Sequence, residues 1–372
     1  MFIILFILII PLCINTERET YYFLKKMFKN LKRKHFSISF ILALLISLFL
    51  FFANMIKLTF VPGQIIKVFL YIFGFMLYSV IFINVASLIN FVLKSITKKS
   101  LEKTTFIITA LSLLLANGLM AYGTYNSINI KIKEYSLTIN DTAISNENLS
   151  LALISDLHLG FIYGDKRVEK IVNKINKLDV DLVCISGDIF DGDITSIANK
   201  ERAKEMFRNL KTKYGVYASF GNHDAGKEYD KMVNFLKDSN IILLRDEYKV
   251  IDNKFIIVGR RDSSPIGNKD QERIDLIIDN PNDLPVIMLD HRPSNINKYD
   301  NNIDLILCGH THQGQFFPLN IVTNLMYDVD YGYYQKDSSS PQVIVTSGVN
   351  SWGPPQRIGT NSEIVKINIK FN

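Results

Sequence analysis

One stretch of ten residues decides the fold: LVCISGDIFD, at residues 182–191. Its first half is a short apolar run, which is typical of a buried strand. Its second half turns at Gly187 and places Asp188 and Asp191 just beyond the strand. Because loops converge on one crevice at strand ends, this stretch predicts a sheet whose edge carries acidic side chains.

The same pattern of an apolar run followed by polar residues recurs four times, as SDLH at 155–158, GNHD at 221–224, DHR at 290–292 and GHTH at 309–312. Five of the six histidines lie in these turns. Mixed Asp, Asn and His side chains suit borderline divalent metals such as Mn, Fe or Zn. Within D-x-H and H-x-H, alternation puts both side chains on one side of an extended backbone. The groups are too many for one metal, so they predict two metals bridged by a carboxylate.

The glycines that precede Asp188, Asn222 and His310 support this interpretation. A tight turn at a crowded metal site favours a residue without a Cβ atom. The three cysteines do not indicate a disulfide framework, because Cys184 and Cys308 lie inside apolar strand runs and Cys13 lies in an apolar window.

From residue 131 onward, short β-rich runs alternate with amphipathic segments, which predicts a layered α/β sandwich. The expected helices are 165–177, 199–210 and 228–237. The expected strands are 135–139, 151–154, 182–185, 216–220, 255–258, 286–289, 305–308, 343–346 and 364–369.

Residues 1–130 have a different character, with 13 basic residues against three acidic ones. They contain three charge-free windows, 36–56, 68–93 and 104–130, each long enough to cross a bilayer as a helix. A shorter window at 1–16 is either a fourth span or a signal peptide. We therefore expect a membrane anchor of three to four helices at 1–130, a linker with the first strand at 131–149, and a catalytic domain at 150–372.

Orientation follows from the basic residues of the short connectors. The connector 18–34 carries seven, the second carries Lys57 and Lys67, and the third carries Lys94, Lys98, Lys99 and Lys103. The first and third connectors are expected to be cytoplasmic, which puts the catalytic domain of a multi-pass cell-membrane protein on the extracytoplasmic side. The partner expected for the basic residues is the lipid bilayer rather than a nucleic acid, because they lie between apolar windows.

Taken in order, the five motifs resemble D-x-H, G-D-x-x-D, G-N-H-[DE], H and G-H-x-H of the calcineurin-like metallophosphoesterase family. The resemblance covers about 151–357. It implies a β-sandwich of two mixed sheets flanked by helices. It also implies an enzyme that hydrolyses a phosphomonoester, phosphodiester or pyrophosphate with a water activated between two divalent metals.

The resemblance also implies roles for individual residues. One metal would be held by Asp156, His158, Asp188 and His312, and the other by Asp188, Asn222, His291 and His310, with Asp188 as the bridge. His223, held by Asp191, would protonate the leaving oxygen. Arg292 and Arg357 are candidates to neutralise a substrate oxygen.

Two departures separate the chain from the protein Ser/Thr phosphatases of the family: Gly192-Asp193 stands where they have Arg-Gly, and Asp224 where they have Glu. The segments 243–247, 258–260 and 353–357 are more similar to bacterial membrane-tethered members. That subgroup includes, or lies close to, hydrolases of UDP-2,3-diacylglucosamine, so a lipid-linked substrate is one alternative. A non-catalytic membrane receptor that keeps the fold is an alternative of another class.

Overall fold

The computed structural model describes residues 2–55, 63–98, 101–139, 147–267, 273–299 and 302–372. The end of the second window at Ile56, the basic residues Lys57 and Lys99, and residues 140–146 of the expected linker lie outside the described residues. The chain divides into two compact units, Met1–Thr124 and Tyr125–Asn372.

The first unit is helical. A segment inside lipid would have to satisfy its own backbone groups, and a helix does so. Its helices are α1 (Phe2–Met27), α2 (Arg33–Met55), α3 (Gly63–Thr97) and all but the last turn of α4 (Glu102–Ile128). Within the described ranges, two segments are long and apolar enough to cross a membrane, Ile65–Thr97 and Glu102–Ile128. The number of crossings stays a prediction.

Helix α1 is longer than the expected first window at 1–16. It continues into the basic connector and ends at Met27. Glu17, in this extension, is bonded to α2. Ser37 donates its Oγ hydrogen bond to Glu17 Oε1 at 2.7 Å, and Arg33 Nη2 lies 3.3 Å from Glu17 Oε2. Hydrogen bonds of this kind between helices hold them together where water is scarce.

The second unit is a sandwich of two mixed sheets, the architecture that the sequence predicts. One sheet has the strand order β1-β12-β2-β3-β4-β5 and the other β10-β11-β9-β8-β7-β6. The strands are β1 (Lys131–Ile139), β2 (Asn148–Ile154), β3 (Leu182–Ser186), β4 (Val216–Ser219), β5 (Ile242–Leu243), β6 (Glu247–Ile251), β7 (Phe255–Gly259), β8 (Val286–Leu289), β9 (Leu305–Cys308), β10 (Gly332–Tyr334), β11 (Gln342–Val345) and β12 (Glu363–Phe371).

Both faces of the first sheet are buried at its central strands β2, β3 and β4. Leu151, Cys184 and Leu307 belong to the core between the sheets, and residues of α5 (Asp165–Ile175), α6 (Lys200–Arg208) and α7 (Tyr229–Asp238) cover the outer face. Helix α5 buries apolar residues at three- and four-residue spacing, the pattern that predicted it. Burial on two faces explains why the strands read as continuous apolar runs.

The parallel pairing of these strands positions the polar turns. β2, β3 and β4 are parallel neighbours in one sheet, and β7, β8 and β9 are parallel neighbours in the other. Their carboxyl ends therefore lie at common edges, and the turns that follow them meet there. The short strands β5, β6 and β10 and the helix α8 (Leu319–Met326) were not expected from the sequence.

Candidate metal centre

The turns after five strands bring the expected site residues together. Asp156 and His158 follow β2, Asp188 follows β3, Asn222 and His223 follow β4, His291 follows β8, and His310 and His312 follow β9. Their carboxylates and imidazoles form two neighbouring groups, in each of which one ligand atom per residue lies within 4.8 Å of the others. A third group of this kind joins His158 to Asp191 and His223.

The first group consists of Asp156, His158 and His312. His312 Nε2 lies 3.3 Å from Asp156 Oδ1 and 3.2 Å from His158 Nε2. All three side chains are buried. A carboxylate oxygen and two imidazole nitrogens that face one point form a donor set that Mn, Fe or Zn accepts.

The second group consists of Asp188, His291 and His310. His291 Nε2 lies 3.2 Å from Asp188 Oδ2 and 3.3 Å from His310 Nδ1. The same oxygen of Asp188 lies 3.9 Å from His158 Nε2 of the first group. Asp188 therefore occupies the position from which one carboxylate can serve both groups.

Two buried oxygens at the centre suit a cation. Asp156 Oδ1 and Asn222 Oδ1 have no hydrogen-bond partner among the residues that the structure describes. A buried polar atom without a partner costs about 1–3 kcal/mol, and more if it is charged, which a bound metal would offset. Asn222 is tied to the centre through the next residue, because the His223 N–H donates to Asp188 Oδ1 at 2.9 Å.

The charges at the centre oppose one another. Burial alone would raise the pKa of Asp188, but His291 and His223 hold it well below its ordinary value. Burial raises the pKa of Asp156. Burial opposes a charge on His291, but Asp188 raises the pKa of this imidazole to about 10. The raised pKa of His291 favours a positive charge beside the carboxylates, and a divalent cation would supply the same compensation.

The backbone is strained at these residues. The φ angles of Asp156, His158, Asp188, His310 and His312 lie between +43° and +75°, the left-handed region that non-glycine residues rarely adopt. Such strain costs of order 1–3 kcal/mol per residue and is concentrated at functional sites. Here it turns side chains from different loops toward one point.

Two glycines allow the loops to approach each other. A Cβ atom on Gly221 would lie 2.2 Å from Asp188 Oδ1, and one on Gly309 would lie 2.6 Å from Asp156 Oδ2. No side chain can be placed at such distances without moving the carboxylate. These contacts give a physical reason for the glycine before Asn222 and the glycine before His310.

The expected His223–Asp191 pair is close but not hydrogen-bonded. Asp191 Oδ1 lies 3.8 Å from His223 Nδ1 and 3.6 Å from His158 Nδ1, both too long for a hydrogen bond. Asp191 is thus shared between a candidate ligand and a candidate proton donor. Burial lowers the pKa of His223, which favours the neutral imidazole. Its ring centroid is 6.4 Å from that of Trp352, a residue of the late glycine- and proline-rich loop.

The two candidate substrate arginines differ in position. Arg292 Nε lies 2.9 Å from both oxygens of Asp262, and its Nη1 lies 3.2 Å from His310 Nε2, at the border of the centre. Arg357 is 0% exposed, which does not suit contact with a substrate, and that role stays a prediction. Its Nη2 instead lies 3.1 Å from His312 Nδ1 and donates to the carbonyl of Ser347 at 2.6 Å. Arg357 therefore contacts the ring nitrogen of His312 that does not face Asp156, and can hold this imidazole in place.

Comparisons with known proteins agree with this geometry. Residues 149–314 match the family described as calcineurin-like phosphoesterase. The chain contains a calcineurin-like phosphoesterase domain. Proteins of this family are metal-dependent phosphoester hydrolases with a dinuclear centre.

Two relatives carry similar descriptions. An uncharacterized metallophosphoesterase of Helicobacter pylori is 30% identical over 64% of this chain and 64% of its own length. A Danio rerio protein named as a transmembrane protein with metallophosphoesterase domain is 29% identical over 70% of this chain and 62% of its own. The chain thus spans just under two thirds of these relatives. A 5'-nucleotidase precursor of Thermus thermophilus has a TM-score of 0.36 at 14% identity, covering 59% of this chain and 54% of that one.

Two residues that fix the loops of the phosphoesterase domain were missed as site residues. Asp224 accepts hydrogen bonds from the backbone N–H groups of Gly221, Ile189 and Phe190 at 2.8–3.1 Å, which joins the third motif to the second. Burial and the neighbouring Asp188 raise the pKa of Asp224 to about 7. Asn350 donates to the carbonyl of Leu157, between Asp156 and His158. Its position five residues after β11 gave no signal in the sequence.

The last turn of α4 belongs to the phosphoesterase unit and supports the same loops. Arg167 donates to the carbonyls of Ser127 and Ile128 at 2.8–2.9 Å and to Asn350 Oδ1 at 2.6 Å. A cation at a helix C-terminus satisfies its last carbonyls and its dipole. Asn126 donates to the backbone carbonyls of Arg357 and Thr360. Both loops of the first group are therefore held by residues that contact the end of this helix.

Replacing Gly221 by alanine is expected to remove metal from the centre, because the new Cβ would displace the carboxylate of Asp188. The measurement is bound metal per chain for the full-length protein in detergent. Gly118→Ala is the matched control, since a Cβ there meets nothing within 4 Å. Full metal content in Gly221→Ala would contradict the close approach.

Asn126→Ala is expected to weaken metal binding at the first group by about tenfold, as loss of outer support does at metal sites. Metal titration of the full-length protein would measure this. Asn176→Ala is the control, because it also loses two hydrogen bonds, to the carbonyl of Asn209 and from the Lys211 N–H, at the surface. Equal affinities in the two variants would show that the helix end does not support the centre.

Proposed function

We propose that the chain is a membrane-anchored phosphoesterase that hydrolyses a phosphomonoester, phosphodiester or pyrophosphate at a centre of two divalent metals. The observation that carries the proposal is the position of Asp188 Oδ2, 3.2 Å from His291 Nε2 of one group and 3.9 Å from His158 Nε2 of the other. A shared carboxylate between two donor sets is the arrangement that clamps the oxygens of a phosphoryl group.

In this proposal Asp156, His158 and His312 hold one metal, Asn222, His291 and His310 hold the other, and Asp188 serves both. Manganese, iron and zinc all suit this donor set. When bound, the metals would lower the pKa of water and stabilise negative charge on the phosphoryl oxygens.

The chain's own residues would orient and protonate the substrate. His223 is partly buried at the edge of the centre and is the group we assign to donate a proton to the leaving oxygen. Burial lowers its pKa and so opposes the charged imidazole that this role needs, and Asp191 is close enough to stabilise that charge. Their separation of 3.8 Å does not exclude the pair, because catalytic hydrogen bonds often shorten only when substrate is bound. Arg292 borders the same space and can donate to a non-bridging oxygen.

We also propose that α1 to α4 make the chain a multi-pass protein of the cell membrane, with the phosphoesterase domain on the extracytoplasmic side. The support is the charge pattern, since basic residues are concentrated in the first and third connectors. The relatives named as transmembrane proteins with a metallophosphoesterase domain support membrane association only.

Asp188→Asn is expected to lower turnover of an aryl phosphate or phosphodiester by several orders of magnitude, because an amide cannot serve two metals. The assay uses the full-length protein in detergent, loaded in turn with manganese, iron and zinc, with metal content measured in parallel. Cys184→Ala is the control, since this buried thiol lies between the sheets and away from the centre. A folded wild-type protein that binds two metals and turns over none of these substrates would favour the receptor alternative.

Protease added to intact cells is expected to cleave the phosphoesterase domain, because the connector charges place it outside. The readout is loss of an epitope at the C-terminus of the chain. The same epitope on a cytoplasmic protein serves as the control for lysis. A domain that is cut only after the cells are permeabilised would reverse the proposed orientation.

A further inference from the structure

Helix α8 exposes a row of large apolar side chains. Leu325 is 82% exposed and Met326 is 69% exposed, and Leu319, Ile321 and Val322 are each about half exposed. The helix buries no residue at all. Phe317, just before it, is 53% exposed. A contiguous apolar patch on a surface helix indicates an interaction site, whereas single exposed apolar residues are common.

The amphipathic pattern of α8 is the reverse of that of an ordinary surface helix. Its polar residues, Asn320, Thr323 and Asn324, share one face at 100° per residue, and the apolar residues occupy the other. The polar face is the inner one, because Thr323 Oγ1 lies 2.6 Å and Asn324 Nδ2 3.4 Å from the carboxylate of the buried Asp330. An ordinary surface helix turns its apolar stripe inward. The outward stripe of α8 therefore suits a partner outside the domain.

The helix is attached to the fifth metal-site motif, at 309–312. Asp330, which holds its polar face, accepts a hydrogen bond at its backbone carbonyl from Thr311, the residue between His310 and His312. Gly314 packs against the start of the helix so closely that a Cβ would lie 2.3 Å from the Asn320 nitrogen. After the helix, the ring of Tyr327 lies edge-on to His310 at 6.4 Å between centroids. The apolar face is thus carried by the loop that supplies two candidate ligands.

We infer that α8 inserts its apolar face into the interface of a lipid bilayer. No charged residue occurs from Gln313 to Tyr327, and aromatic residues, Phe316, Phe317 and Tyr327, flank the helix at both ends. Aromatic residues at the ends of an uncharged apolar helix suit the headgroup boundary. The inference rests on the proposed membrane anchoring, since α4 is long and apolar enough to cross a bilayer and only two residues separate it from β1.

The composition of α8 also indicates that its insertion into lipid does not depend on electrostatic attraction. Interfacial helices that depend on anionic lipids carry Lys and Arg on the polar face. The polar face of α8 is neutral and is bonded to Asp330. Insertion should therefore occur in zwitterionic phosphatidylcholine and should not change with salt, because screening acts only on charges.

The test places a fluorophore on the helix in the full-length chain. Cys13→Ser removes the half-buried thiol, and the buried Cys184 and Cys308 remain. Leu325→Cys is labelled with an environment-sensitive dye, and the protein is reconstituted at one chain per phosphatidylcholine nanodisc with and without brominated acyl chains. Ile277→Cys is the matched control, because Ile277 is an apolar residue with 89% exposure.

Brominated lipid is expected to lower the emission at position 325 about twofold and to leave position 277 unchanged, with the same result at low and high salt. Equal quenching at both positions would overturn the inference. Blue-shifted emission without quenching would also overturn it, because a second copy or another protein would then cover the face. The measurement needs no turnover, so a negative result here is distinct from failure of the proposed phosphoesterase activity.

A second variant tests the cause of quenching. With the dye at Val322→Cys, Leu325→Glu adds a charge one turn away on the same face and is expected to abolish quenching by brominated lipid, whereas Leu325→Phe is expected to retain it. Because both positions are exposed, neither substitution disturbs the core. Quenching that survives Leu325→Glu would contradict insertion of the apolar face.

Discussion

The organisation of the second unit depends on one carboxylate that must face two groups of ligands at once. Asp188 Oδ2 lies within 3.9 Å of imidazole nitrogens from both groups, so every loop at this edge has to approach the same point. The parallel strands bring the loops to a common edge, and the left-handed turns direct their side chains inward. The glycines remove the Cβ atoms that would keep the loops apart. The parallel strand order, the left-handed turns and the glycines at the site all meet this one requirement.

The sequence predicts the sandwich and the residues that the structure brings together, because both have strong local signals. The buried strands are continuous apolar runs, and β8 and β9 begin and end where the sequence places them. The polar turns stand out because Asp, Asn and His cluster after those runs. The resemblance to a known family then implied a role for each residue. The roles themselves stay predictions, whereas the proximity of the side chains is a property of the structure.

Other features of the structure have no signal in the amino-acid sequence. The position of Arg357 could not be deduced, because a lone arginine in a loop can face substrate or pack inside, and only the fold brings it behind His312. Helix α8 was missed because it is eight residues long and its polar residues face the protein, so it lacks the charged outer face that marks a surface helix. Asn126 lies 234 residues before Thr360, and Arg167 lies 183 residues before Asn350, so no local pattern in the sequence links them.

The hydrogen bonds of the last turn of α4 also constrain the order in which the second unit can fold. Asn126 and Ser127 are among the first residues of the second unit to emerge from the ribosome, yet their partners at 351–362 are among the last. The loops of the first ligand group reach their final support only when both ends of the unit are present and the helix has formed. Formation of the first ligand group is therefore coupled to folding of the last turn of α4. A nascent chain that still lacks residues 351–362 would hold the loops of the first ligand group without this support.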